Sequence, residues 1–499
     1  MEIRNIIRSI YLNPRNFFLE NLGVRQTIFK NTFWLAVAEG IGRFLKLILI
    51  IYVARILGAT EYGKFTFALA FVGLFAIFSD LGISSICTRE IAREKEKEKE
   101  FPAVLSLKLL LSIGTLILIC LGSFFITLDP IIRGMIWILG IYIIVSSFSQ
   151  VIYAFFQARQ KMEYEAWAKI LQAAAVTGAG FFVLFNFPSV QNLSLSYLFA
   201  SLIALLFILF FFHFKVYRLK IYFNSIIWRN ILAMSWPLAL SGMMGSICAD
   251  TDSIMMGYWG QIIQTGWYNA AQRIMVVALI PTGLIGASFF PVLSKFFGQS
   301  KEKLQKGWNY FMEVMIFIAV PLVIGGIVLA SKIIDFVYDP TFFPSILVFQ
   351  ILIVTGGIAI ITGPFIHALI VSNQQKKTFW IVLFGALTNV ILNFILIPEY
   401  SLYGAAFTTL VASFLMLFLS FKSTLKFTEI KPINLKLVLT FFAVALSTIP
   451  MCFVITRPQI YNLYIIWIIL IGAVIYTISL VILKGLISYF SLFSKISRR

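Results

Sequence analysis

Long apolar runs, separated by short polar or glycine-bearing stretches, fill almost the whole chain. A membrane-spanning helix needs roughly 20 apolar residues. Runs of that length predict about fourteen spans, at 29–53, 65–87, 104–127, 134–156, 167–186, 195–214, 231–256, 267–291, 308–330, 346–370, 379–397, 404–421, 437–456 and 461–483. The longest loops between them run about 10–17 residues, too short to bury a core of their own. The pattern predicts an all-α integral membrane protein. An even number of spans puts both termini on one side.

The pattern also repeats. The first span leads into LGATEYGKFTFALAFVGL and the second; the seventh leads into WGQIIQTGWYNAAQRIMVVAL and the eighth. Glycines bracket a short turn in each, Gly58 and Gly63 against Gly260 and Gly266, about 200 residues apart. The expected organisation is two six-helix lobes at 29–214 and 231–421, related by a parallel repeat, with two extra helices over 437–483. Residues 1–28 are broken by charges and Pro14, and read as a basic amphipathic segment on the inner membrane surface rather than a secretory signal. Residues 484–499 read as a cytoplasmic tail.

Composition agrees. The 499 residues are 60% hydrophobic and 12% charged, with a mean hydropathy of +0.94; soluble domains are about 25% charged. The net charge of +19 would suit nucleic acid in a soluble chain. Here 32 of the 40 Lys and Arg fall on one face, at the termini and the loops after even-numbered spans, against five opposite. The positive-inside rule then makes both termini cytoplasmic in a cell membrane, with no nucleic-acid partner. Cys87, Cys120, Cys248 and Cys452 lie far apart in apolar segments and form no metal or disulfide framework. The run REKEKEKE, 93–100, reads as a solvated cytoplasmic loop or helix end. No HExxH motif and no large external loop supports a membrane enzyme such as a glycan polymerase. No cofactor or metal is expected.

Charge inside the spans carries the candidate chemistry. The first span, NTFWLAVAEGIGRFLKLILIIYVA, holds Glu39, Arg43 and Lys46. One charge at the centre of a membrane helix costs about 2.5–3.5 kcal/mol, so such groups face a cavity or pair with one another. Glu39 and Arg43 are four residues apart and share a helix face: a structural pair, or an Arg released for a ligand when Glu39 is protonated or engaged elsewhere. Arg273 in the eighth span has Gln272 and Asn269 beside it. It pairs with Asp250 or Asp252 of the seventh span, or serves as a second cationic ligand. Glu39, Asp80, Asp250 and Asp252 are the candidates for charge pairing or for sodium or proton coupling. The count within spans is three cations and four carboxylates. Gln150 and Gln157 could bind sugar or bond neighbouring helices; Asn389 and Asn393 read as bonds between helices. His367 reads as a satisfied histidine. Tyr62, Trp267 and Tyr268 read as part of an interfacial belt, with sugar stacking as the other use.

ARILGATEYGKFTFALAF followed by SDLGISSICTREIAR resembles the oligosaccharide flippase, or polysaccharide transporter, family of the multidrug/oligosaccharidyl-lipid/polysaccharide (MOP) exporter superfamily. The matching positions are Arg55, Leu57, Gly58, Tyr62, Gly63, Asp80, Gly82, Arg89, Ile91 and Ala92. FFQARQKMEYEAWAKI and the pair Asp-Thr-Asp (250–252) with YNAAQRI (268–274) are similar to the family too, and the likeness covers roughly 28–425. The resemblance implies a V-shaped pair of lobes and a transporter rather than an enzyme. It implies alternating access that carries a polyprenyl-(pyro)phosphate-linked oligosaccharide to the outer leaflet. It also implies a groove for the lipid tail at the last two spans, and glycan polymerase or glycosyltransferase machinery as partners beside the membrane lipids. Under it, Arg43, Arg273, Lys46, Gln150 and Gln272 are the substrate-binding candidates. The count of cations departs from the cation-rich cavity of lipid II flippases. A lipid II-type flippase and a cation-coupled multidrug exporter are the alternatives; fourteen spans argue against the exporter, which usually has twelve.

Overall fold

The computed structural model describes residues 20–496 apart from Leu22, Ile221, Gly298 and Ile433. Most of the expected amphipathic segment, and residues 497–499 of the tail, lie outside the described residues. Among the described residues every regular element is helical. The α-helices run α1 Val24–Ala76, α2 Ile83–Arg93, α3 Phe101–Ile126, α4 Pro130–Ala158, α5 Met162–Asn186, α6 Val190–Lys215 and α7 Ser225–Tyr258. They continue as α8 Ile262–Phe297, α9 Lys301–Val328, α10 Ala330–Val337, α11 Ser345–Val371, α12 Gln375–Phe427, α13 Leu435–Ile455, α14 Pro458–Tyr461 and α15 Ile465–Ile496. Among the described residues, 11 helical stretches are long and apolar enough to cross a membrane. Two of them hold two spans each, because the backbone breaks at Gly58 in α1 and at Ser401 in α12. With the 34-residue α7, the count reaches the expected fourteen.

The breaks have local causes. Gly58 has φ 75° and ψ 174°, a conformation open to glycine and strained for residues with a Cβ. Three residues past the Ser401 break, a Cβ on Gly404 would stand 2.6 Å from the Leu396 carbonyl oxygen, so the two halves of α12 can approach there only through glycine. Turns roughly 200 residues apart share a positive φ. Gly58 and Gly260 have φ of 75° and 73°, and Gln160 and Asn373, in the turns after the fourth and tenth spans, have 58° and 59°.

The chain forms two compact units, Met1–Ile263 and Gln264–Arg499. In the first, α1 packs against α4, α5 and α7, and α6 against α4 and α5. Phe101, Phe155, Phe156 and Phe212 centre one core there. In the second, α11 packs against α9 and α12, and α13 against α9 and α15. Trp308 is fully buried and its Nε1 donates to the Pro364 carbonyl at 3.0 Å. Pro237, Pro281, Pro321 and Pro364 all lie inside helices.

The outer faces fit lipid. On α6, Phe199, Ile203, Leu206, Phe207, Phe210 and Phe214 point outward while Ser194, Ser196 and Ser201 are buried. A soluble helix would reverse this; in a bilayer, small polar residues pack between helices and large apolar ones meet the lipid tails.

Two buried ion pairs correct the count of charges within spans. Lys30, Lys108 and Lys169 read as loop or flanking cations in the sequence, but all three lie inside helices. Lys108 is fully buried in α3, and its ammonium meets Asp80 Oδ1 at 2.6 Å. Lys30 is fully buried in α1 and meets Glu163 Oε2 at 2.9 Å. Cations near span ends read as interfacial; tertiary pairing is what draws them in.

Candidate functional site: a charged pocket in the first unit

Glu39, Arg43 and Lys46 lie on successive turns of α1. Gln150 is near the end of α4. The fold brings these four sequence candidates together in one pocket of about 260 Å3. α5 completes its wall with Lys169, Gln172 and Thr177, and α4 adds Tyr142 and Ser146. Among the described residues lining it there are three cations, Arg43, Lys46 and Lys169, and one carboxylate, Glu39.

The charges are linked. Arg43 Nε donates to Glu39 Oε2 at 3.4 Å, and both side chains are open, 63% and 49% exposed. Lys169 Nζ lies 3.1 Å from the other Glu39 oxygen and 3.0 Å from Glu165 Oε1. Glu165 is buried, and the Gln157 amide donates to both of its oxygens, at 3.1 and 3.0 Å. The Lys169 ammonium also stands 5.8 Å over the Tyr153 ring. Charged groups this open in mid-span belong beside water rather than lipid tails. Gln172 donates weakly to Ser146 and Ser201 hydroxyls at 3.4 and 3.5 Å.

The other candidates lie elsewhere. Asp80 is held by Lys108 and accepts from the Ser84 hydroxyl at 2.5 Å. Asp252 of α7 is buried, and Asp250 stands 3.4 Å from where a Cβ on Gly73 would be. Arg273 and Gln272 belong to the second unit, on α8, both half-buried; Arg273 Nε has no hydrogen-bond partner. Tyr62 and Tyr268, read as belt or stacking residues, are fully buried core residues instead. His367 is satisfied by the Gly363 carbonyl at 3.0 Å. Asn393 donates to Asn389 at 3.1 Å, Asn389 to Thr409 at 3.2 Å, and Thr408 to Asn393, which ties the two halves of α12 together. Among the described residues no cluster of three or more His, Cys, Asp or Glu has metal-binding geometry.

Sequence reasoning missed Lys169 and Gln172. Their signal is visible afterwards: Glu165, Lys169 and Gln172 stand at i, i+4 and i+7 on one face of a mostly apolar helix.

The second unit holds a site of the opposite kind. A groove of about 570 Å3 runs among α9, α10, α13 and α15, walled by Ile333, Ile455, Ile465, Ile469 and the glycines Gly325 and Gly472.

A polytopic bundle with charged side chains lining a half-open pocket in mid-span has a feature that a membrane transporter needs. The sequence profile described as "polysaccharide biosynthesis protein" matches residues 28–297, more than half of the chain, and the protein belongs to that family. It is 22% identical over 404 residues, 78% of this chain and 97% of the relative, to the capsular polysaccharide biosynthesis protein CapF of Staphylococcus aureus. It is 21% identical to the probable low-salt glycan biosynthesis flippase Agl15 of Haloferax volcanii, over 75% of this chain and 79% of the relative. Among solved structures, the lipid II flippase MurJ in an inward closed conformation shares the fold with a TM-score of 0.74 and 17% identity, covering 92% of this chain and 99% of its own. An inward-facing multidrug resistance MATE transporter of the MOP superfamily has a TM-score of 0.65 and 16% identity, covering 78% and 96%. The chain is a multi-pass membrane transporter of the polysaccharide-biosynthesis type.

Proposed function

We propose that this protein is a flippase for a polyprenyl-(pyro)phosphate-linked oligosaccharide. It moves the substrate from the cytoplasmic to the outer leaflet of the cell membrane by alternating access, with both termini cytoplasmic. The product feeds cell-surface polysaccharide or glycan assembly, beside polymerase or glycosyltransferase machinery. The observation that carries the reading is the pocket of Arg43, Lys46 and Lys169 inside an apolar bundle. A sugar phosphate cannot cross hydrocarbon unaided; it needs cations, and an Arg fork suits phosphate by donating two parallel bonds. Gln150 and Gln172 supply amides of the kind that bind sugar hydroxyls. Arg273 and Gln272 are the second-unit ligands in this reading, and Asp250 and Asp252 the carboxylates for sodium or proton coupling. The apolar groove at α13 and α15 suits the lipid tail. A pocket with more cations than carboxylates disfavours cationic drugs, so the exporter alternative fits less well.

The test is translocation in proteoliposomes. A lipid-pyrophosphate oligosaccharide is placed on both leaflets and a membrane-impermeant glycosidase is added outside. The protein is expected to raise the cleaved fraction above the outer-leaflet share. A charge-assisted hydrogen bond is worth about 1.5–3 kcal/mol, so Arg43→Ala is expected to slow flipping about ten- to a hundredfold. No rise with the wild-type protein, under sodium and proton gradients and across a panel of carriers, overturns the reading.

A further inference from the structure

Lys169 has two carboxylate partners, and they differ in kind. Glu165 is 1% exposed and is fixed from behind by both Gln157 bonds. Glu39 is 49% exposed, on the open face of α1, and its other contact is the long 3.4 Å bond from Arg43. An ion pair half in water is weak and easily exchanged. A buried pair is costly to break, because one charge is then left unpaired out of water. Lys169 therefore has one permanent partner and one replaceable one. Arg43 shares the replaceable one. Among the described residues that line the pocket, Glu39 is the sole carboxylate, and it lies between these two cations.

We propose that Glu39 is an internal competitor for the substrate's anionic group. When no anion is bound, Glu39 engages Arg43 and Lys169 together. An incoming phosphate takes both cations from it, while Glu165 and Gln157 keep Lys169 in place. When Glu39 re-engages the cations, it displaces the phosphate. The inference makes Lys169 a phosphate-binding residue and rests on the reading of this pocket as a phosphate site. It also answers a physical need of a carrier. A site built of cations alone would hold a pyrophosphate too tightly to release it, and a competing carboxylate weakens the grip without removing the specificity.

The test measures equilibrium binding of inorganic pyrophosphate and of geranyl pyrophosphate to the full-length protein in detergent, by calorimetry. Glu39→Gln is expected to bind both probes about tenfold tighter than wild type, the equivalent of about 1.4 kcal/mol. Lys169→Arg is expected to retain that competition. Lys169→Gln alone would strand Glu165, so the informative variant is Lys169→Gln with Glu165→Gln. It is expected to bind about tenfold more weakly, and adding Glu39→Gln to it is expected to recover less than the gain seen in wild type. If wild type binds pyrophosphate and Glu39→Gln binds no tighter, the competitor proposal is overturned while the phosphate reading survives. If the gain from Glu39→Gln is undiminished in the Lys169/Glu165 double variant, Lys169 is not a shared ligand and the proposal is likewise overturned. If neither wild type nor Glu39→Gln binds either probe, the proposal and the reading it rests on fall together.

Discussion

The first unit keeps ionised side chains among its helices and opens a pocket of about 260 Å3 onto three cations and a carboxylate. The second keeps a groove of about 570 Å3 walled by isoleucines and glycines. The energetics of the two differ as much as their chemistry. Each charge drawn into the first unit loses hydration and must be repaid by a partner, which is why Lys30, Lys108 and Lys169 all meet carboxylates within 3.1 Å. The groove loses nothing by being apolar, and it also gains nothing as solvent: lipid tails are as apolar as isoleucine. What a groove offers a lipid tail is shape. Under the proposed function, the pocket would select its ligand strongly and the groove weakly.

The largest effect is expected where a pair in the first unit is broken. Asp80→Asn leaves the fully buried Lys108 without its carboxylate. Removing one partner of a buried pair costs about 3–5 kcal/mol, and the quarter of Asp80 that remains exposed places the expectation at about 3 kcal/mol. Thermal unfolding in detergent would show it as a marked fall in Tm. Asp80→Asn combined with Lys108→Met is expected to restore most of the loss, since neither charge then remains. If Asp80→Asn leaves Tm unchanged but abolishes transport, Asp80 is a coupling residue and not a structural pair.

Filling the groove is expected to do less. A Cβ on Gly325 would stand 3.7 Å from Met451 Cε, ordinary contact, so Gly325→Leu puts a side chain into the groove without a clash at its root. The tail loses packing contacts rather than hydrophobic transfer, so transport of a long-chain substrate is expected to fall by about tenfold, about 1.4 kcal/mol. A short-chain carrier with the same head is expected to be unaffected. Equal loss for both chain lengths would detach the groove from the tail.

Span number was readable in the sequence because apolar length is itself the signal; the end of the second span was not, since the helix within the apolar run 65–87 ends at Ala76 and a new one starts at Ile83. Gly58 announced the first break for a local reason, its freedom at positive φ. The pocket was half readable. Glu39, Arg43 and Lys46 stand out against mid-span Leu and Ile. Lys169 does not, because a lysine near the start of an apolar run looks like one reaching for the interface; only packing shows that Glu165 and Glu39 hold it. The same holds for Lys30 and Lys108. Tyr62 and Tyr268 failed in the opposite direction. An aromatic near a span end reads as belt, and burial by neighbouring helices leaves no trace in its own segment.

The smallest effect sharpens the contrast from the second unit's side. There the polar network across the break in α12 is neutral, although Glu313 of the same unit is buried and meets Lys436 at 2.6 Å: Asn393 and Thr408 are fully buried, and with Asn389 and Thr409 they bond across the break. A neutral hydrogen bond contributes about 0.5–1.5 kcal/mol net. In a membrane the loss is smaller still, because the freed group finds another helix to bond. Asn393→Ala also leaves the Thr408 hydroxyl its bond to the Ala405 carbonyl at 2.8 Å. The expected loss is about 1 kcal/mol, a third of that for Asp80→Asn, with transport unchanged once folding is corrected for. A loss as large as Asp80→Asn would mean that neutral networks here are as demanding as ion pairs. The contrast between the two units would then rest on the pocket and the groove alone, and not on the difference between the Asp80–Lys108 pair and the α12 network.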